Sequence, residues 1–257
     1  MQSLWIGASG LHASQLWLDI TAHNLANVNT TAFRAGRPAF REERVAQLDR
    51  PVFPLAEGLP GGAGVTVAAV LTDPSPGALE ATENPHHLAI TGAGFFRLRG
   101  AQGEELYTRE GIFAPDAEGR LTTSDGALLL DEDDDPIKLP EWAEGFRVQP
   151  DGTVVATAAD REQEVAVLGL AHFVNIGGLA ALGQNRFAAT AASGPAVIDR
   201  PGSEGLGIVR QGALERSNVD LASEMVSLLL AQRSFQLNAR VVQTSDEMMA
   251  LANRLPG

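Results

Sequence analysis

Residues 17–36, "WLDITAHNLANVNTTAFRAG", decide how the fold is read. Leu18 and Leu25 continue a row begun by Leu4 and Leu11, seven residues apart at each step. That spacing keeps side chains on one face of a helix. Ala8 and Ala22 add partners four residues on, as in a coiled-coil seam. The rhythm then runs into Asn24, Asn27 and Asn29, followed by Thr30, Thr31 and Phe33. Asparagine tolerates left-handed backbone and bonds stray backbone groups, so the three asparagines predict the helix stop. Ahead of Arg34 the one formal charge is Asp19. A helix with so little charge has no face well suited to water and needs cover on several sides.

The other end repeats the pattern. Leu221, Leu228, Phe235, Val242 and Met249 are also seven apart, and no Gly or Pro occurs from Val219 to Leu255. The spacing predicts a helix of up to about 54 Å. Ser217 or Asn218 is the expected N-cap, with Asp220 in the positive first turn.

Between the ends the period changes. "HHLAITGAGFFRLRG", "ELYTREGIFAPDAEGRLTTSDGALLL", "FRVQPDGTVVA" and "QEVAVLGLAHFV" are short alternating runs cut by Gly- and Asp-rich turns, the pattern of an antiparallel β domain. Residues 46–64 are rich in Pro and Gly and read as an extended arm. "ATAASGPAVIDRPGSEGLG" (189–207) reads as a loop returning toward the last helix. The expected class is α+β, with long N- and C-terminal helices packed together and an inserted, mainly antiparallel β domain. The expected divisions are 1–45 (N-terminal helix), 46–72 (arm), 73–212 (β-rich) and 213–257 (C-terminal helix).

The formal charge of −13 argues against nucleic acid, since phosphate binding needs clustered Lys and Arg. The excess lies in the middle, and the two ends are near neutral, which suits a soluble middle and ends made for partners. There is no cysteine, hence no disulfide or thiolate site. The uncharged run "MQSLWIGASGLHASQLWL" is interrupted by Gln, Ser, Gly and His, so no membrane insertion is expected. It also lacks the basic start of a cleaved secretory leader.

Chemical motifs do not survive inspection. "DEDDDP" (131–136) places Pro136 and Trp142 where a calcium loop needs Gly and Glu, and reads as a solvated hairpin tip. His86 and His87 are adjacent and would point to opposite faces of a strand, so they read as an exposed loop pair. "GASG" (7–10) is not a nucleophile elbow, and "GLPGGAG" lacks the Lys of a phosphate loop. Nothing selects two of the many carboxylates as a glycosidase pair, and an aromatic content of 5% is low for a sugar cleft. No catalytic residue, metal or cofactor is expected. The rival of another class is an acidic cell-wall-active enzyme with oligomerising helices. A membrane-surface protein ranks lower, because the N-terminal helix has no basic face.

Read in order, "HNLANVNTTAFR", "LAITGAGFFRL", "YTREGIFAPDAEGRLTTSDG", "LGQNRFAATAASG" and "GALERSNVDLASEMVSLLLAQRSFQLNARVVQTSDEMMALANRL" resemble the axial rod and hook proteins of the bacterial flagellum. The likeness covers nearly the whole chain in one order. Its rod signature corresponds here to Asn24, Asn27, Asn29, Thr31 and Phe33. Two positions depart from the pattern: Ala32 stands where the family usually has Gly, and His23-Asn24 replaces a common Asn-Asn pair. A left-handed Ala32 would cost about 1 kcal/mol or more.

The resemblance implies a structural, non-enzymatic rod subunit that stacks helically through its terminal helices, with Leu4, Leu11, Leu18, Leu25, Leu221, Leu228, Phe235, Val242 and Met249 as the assembly seam. It implies as partners copies of itself, neighbouring rod and hook proteins, and the flagellar type III export apparatus. It implies a place in the basal body, outside the cytoplasmic membrane. Length and the Pro/Gly-rich arm favour the distal part of the rod, then the proximal rod, then the normally longer hook protein.

Overall fold

Two long helices and eighteen short strands make up the described residues of the computed structural model, which are 2–44, 62–203, 205–252 and 254. The chain divides into two compact units. The first comprises 1–28, 35–73 and 219–257, and the second 29–34 and 74–218.

In the first unit, α1 spans Gln2–Ala26 and α2 spans Leu221–Ala252. Asp220 starts α2. Its carboxylate accepts the Ala222 N–H at 3.2 Å and the Ser223 hydroxyl at 2.6 Å, and its carbonyl accepts the Glu224 N–H at 2.9 Å. The Ser223 bond, with the Ala222 N–H next, holds the Asp220 carboxyl below its ordinary value. Asp220 is therefore the N-cap rather than Ser217 or Asn218, because it directly precedes Leu221 and its side chain meets first-turn donors. Two strands complete the unit: β1 (Gly36–Arg44) and β2 (Gly62–Thr72), paired antiparallel from Gly36↔Thr72 to Arg44↔Gly62 with two register shifts. Residues 36–44, expected within the helical end, and 62–72, expected within the arm, are thus ladder strands. The rest of the expected arm, 46–61, lies outside the described residues.

The second unit is the antiparallel β domain. Its largest sheet has nine strands and centres on Phe95–Arg99, which pairs with Glu105–Thr108, Leu128–Leu129 and Leu170–His172. The sequence "FFRLR" shows why this strand is central. Phe96 and Leu98 enter the main core with Leu88, Phe113, Leu129 and Leu170, while Phe95 joins a second cluster with Tyr107 and Phe173. Both faces are covered, and the strand reads as a continuous apolar run broken by Arg97. That arginine is 1% exposed. It donates to Glu105 at 2.9 Å and to the Asp131 carbonyl at 3.0 Å, and it pairs with Asp134. The acidic tip 131–136 thus serves as an arginine receptor, and Glu132 pairs with Arg200 in the same way.

The segment 189–207 is not all loop, since Val197–Asp199 pairs with Leu170–His172. Its β-branched Val197 and Ile198 suit a strand, but they sit among turn residues that dominate the reading. His86 and His87 are half-buried rather than exposed. The His87 ring meets the Thr82 hydroxyl at 2.8 Å, and the His86 ring packs edge-on against Phe146.

Candidate assembly surface

Within the first unit, α1 and α2 run antiparallel and touch through small and polar residues. A Cβ on Gly7 would lie 2.8 Å from the Val242 methyl, and one on Gly10 would lie 2.8 Å from the Asn238 amide carbon. Ser14 Oγ meets Ser234 Oγ at 3.0 Å, and Asn238 donates to Ser14 at 3.2 Å. Thr21, Ala231 and Ser245 are buried along the same line. The backbones approach closely because nothing bulky stands between them, an arrangement that relies on small side chains.

The leucine rows flank this line. Leu4, Leu11, Leu18, Leu25, Leu228, Val242 and Met249 are half-buried, while Leu221 and Phe235 are 49% and 37% exposed. The Val242 side chain fills the space where a Cβ on Gly7 would stand. A second apolar row is turned outward on α2. Val226, Leu230, Leu237, Val241 and Met248 are spaced four, seven, four and seven apart, which puts them on one side of the helix. All but Val241 are more than half exposed. On α1, Trp5 is 63% exposed. Between α1, α2 and the β1–β2 pair lies an open cavity of about 470 Å³ whose lining among the described residues is uncharged, walled by Ile6, Trp17, Phe40 and Val65 over Ser14 and Asn238. Gly64 closes one side. Its φ of +121° and the Ser9 hydroxyl, 2.2 Å from where a Cβ would stand, admit no side chain.

The signature residues do different jobs. Asn24 is 2% exposed and lies inside α1. Its amide donates to the Gly36 carbonyl at 2.8 Å and to Glu224 at 3.3 Å, and it accepts the Gly36 N–H at 2.9 Å. It clamps the start of β1 to the helix pair and does not stop the helix. Asn27 does the stopping, donating to the His23 carbonyl at 2.9 Å. Neither of these nor the exposed Asn29 is left-handed. That conformation falls to Ala32, at φ 57° and buried.

Thr31, Ala32, Phe33 and Arg34 belong to the second unit. The Thr31 carbonyl accepts the Asn185 amide at 2.7 Å, and the carbonyl of the buried Phe33 accepts the Asn218 N–H at 3.2 Å. Gln184 and Asn185 both have positive φ, as a two-residue hairpin turn requires. This explains "GQNR" between its strands.

One cluster escapes sequence reading. Glu215, with its side chain 1% exposed, pairs with Arg34 at 2.5 Å and with Arg109 at 3.2 Å. Arg109 also donates to the carbonyls of Ile90 and Gly92. Burial lowers the Arg109 guanidinium to about 10, against the opposing pull of Glu215. The available hint was Arg34 as the lone charge of "TTAFRAG" and Glu215 beside Arg216 in the otherwise uncharged "QGALERSN".

The two helical ends thus form one unit with an outward apolar row, and the middle forms a β domain. Comparison with known families supplies the class: the axial proteins of the bacterial flagellum. Residues 4–34 match the "Flagella basal body rod protein" family, 89–156 the "Flagellar hook protein FlgE/F/G D1 domain", and 210–255 the "Flagellar basal body rod FlgEFG protein C-terminal". The relative "Flagellar basal-body rod protein FlgG" of Borreliella burgdorferi is 37% identical over 99% of this chain and 98% of its own length. Its namesake in Bacillus subtilis is 35% identical over 97% of each. "Flagellar hook-basal body complex protein FlhP" of the same species is 27% identical over 98% of each. The chain belongs to the FlgG family of flagellar basal-body rod proteins, a structural family and not an enzymatic one. Among the described residues no helix is long and apolar enough to cross a membrane.

Proposed function

We propose that the protein is a structural subunit of the flagellar basal-body rod, in its distal part, and that it self-assembles helically through its terminal helices. The observation that carries this is the outward apolar row Val226, Leu230, Leu237, Val241 and Met248. Burying a fully exposed side chain of this kind gains roughly 1.5–3 kcal/mol, and water gains nothing from leaving five of them bare. The small, polar inner seam leaves these large residues for contacts with further copies. The half-buried leucine rows, with Leu221 and Phe235, supply a second flank for neighbours. Rod and hook proteins adjacent in the axis are the other partners, and the type III export apparatus delivers the chain. The paired helices form the inner, torque-bearing layer, and the Pro/Gly-rich stretch 46–64 tunes its stiffness. The site is in the basal body, outside the cytoplasmic membrane.

Leu230→Asp combined with Leu237→Asp tests the assembly face. Both residues are exposed in the isolated chain, so helical circular dichroism is expected to match the wild type while rods fail to extend in basal bodies seen by electron microscopy. Normal rods in the double variant would remove this row from assembly. The same micrographs, with the protein tagged, separate distal rod from proximal rod and hook.

A further inference from the structure

The chain crosses between its two units four times, at 28/29, 34/35, 73/74 and 218/219. Inside the second unit, the three segments next to these four crossings are bonded to one another. The Ala32 N–H donates to the Glu215 carbonyl at 2.8 Å, and the Gly77 N–H donates to Glu215 Oε1 at 2.9 Å. The Arg216 N–H donates to the Ala78 carbonyl at 2.9 Å, and the Asn218 amide donates to the Ser75 carbonyl at 2.9 Å. A Cβ on Gly77 would stand 1.9 Å from the Arg216 carbonyl oxygen, so these strands leave no room between them. Glu215 is common to the set. Its backbone holds the 29–34 segment, one carboxylate oxygen holds Arg34 and the 74–78 segment, and the other holds Arg109. Arg109 carries the tie onward to Ile90 and Gly92 of the β core.

We propose that Glu215 is a mechanical fastener. With Arg34 and Arg109 it binds the three segments by which the chain enters and leaves the β domain, so that force arriving on one is shared by all and passed to the core. A buried carboxylate between two guanidiniums suits this task. Arg109 gives it a charge-assisted hydrogen bond and Arg34 an ion pair, and losing either leaves a charge without its partner in a dry place. Ala32 fits the same purpose. A left-handed alanine persists only where its surroundings hold it, and its own N–H is one of the fastened groups. The part of this proposal that concerns load rests on the rod reading, whereas the fastening itself does not.

The test is hydrogen exchange on the full-length protein carrying Glu215→Gln, with Arg34→Gln as a milder second variant. The amides of Ala32, Gly77 and Asn218 are expected to exchange at least tenfold faster, while Leu98 and Leu106 keep wild-type rates. Wild-type rates at the three crossing amides would overturn the proposal. So would equal acceleration in the core, or failure of both variants to fold, since Glu215 would then be an ordinary core residue. In cells, rods of the Arg34→Gln variant should assemble but lose swimming as medium viscosity rises. Unchanged viscous swimming overturns load sharing, and absence of the wild-type protein from basal bodies overturns the rod reading alone.

Discussion

Asn24→Ala isolates the most connected signature residue. The change removes three hydrogen bonds: two to the Gly36 backbone, at 2.8 and 2.9 Å, and one to Glu224 at 3.3 Å. Each of the first two contributes about 1 kcal/mol net, and the orphaned N–H and C=O of Gly36 add to the loss. Gly36 is half-buried, so water recovers part of that penalty. Alanine returns about 0.5 kcal/mol of helix propensity. The balance is a loss of about 2–3 kcal/mol, concentrated where β1 leaves the helix pair. In hydrogen exchange this corresponds to about 30- to 150-fold faster opening at the Gly36 amide. Asn24→Asp should be worse at neutral pH. It keeps the acceptor for the Gly36 N–H but loses both donors and faces the Glu224 carboxylate. Its deficit should shrink as the pH falls through the carboxylate range, because the introduced carboxyl regains one donor once it is protonated. An unchanged Gly36 exchange rate in Asn24→Ala would refute the clamp.

Gly10→Ala should destabilise the helix pair by about 1 kcal/mol, overpacking against Asn238 outweighing the gain in propensity; urea melts followed by helical circular dichroism should show Asn238→Ala relieving it. Tyr107, the sole tyrosine, is pushed up to about 12 by burial first and the Glu105 charge second. The fold favours the neutral phenol, so its contribution is complete below about pH 10 and is lost as the pH rises toward 12, a loss of about 2–3 kcal/mol read by denaturant melts alongside phenolate absorbance. Ala32→Gly should be neutral within about 0.5 kcal/mol, because release of left-handed strain is offset by a lost buried methyl and a freer unfolded chain. Ala32→Val should cost more than about 2 kcal/mol in the same melts, a branched side chain being forced into that conformation.

Helix placement was legible because the 3.6-residue period persists over many turns and no breaker interrupts it. The core strands of the β domain were legible for the matching reason: "FFRLR" and "GTVVA" alternate or run apolar between clear turns. The cap of α2 was misread by two or three residues. Ser217, Asn218 and Asp220 are all good caps by type, and only geometry decides among them. The inner seam was hidden because heptad leucines advertise themselves, whereas Gly7, Gly10, Ser14 and Asn238 carry no hydrophobic signal. Glu215, Arg34 and Arg109 are far apart in sequence, and one-dimensional patterns do not report which distant charges meet. Ala32 was raised by the family resemblance, whose usual glycine at that place made a left-handed backbone the question to ask, and its φ is 57°.

The Ser14–Ser234 contact joins residues 220 positions apart. On a ribosome, or in any process that delivers the chain N-terminus first, α1 emerges long before α2 exists. Closing so long a loop costs on the order of 5 kcal/mol in chain entropy by the logarithmic law, and so non-local a contact forms slowly. The β domain closes shorter loops: its most distant ladder, Leu88–Thr91 with Ile208–Gln211, is complete before α2 emerges. The helix pair therefore forms only after α2 has emerged, and for most of synthesis α1 is a long segment with one formal charge and no mate. A holding factor that bound α2, the late-arriving half, would keep the whole first unit open without touching the domain already made.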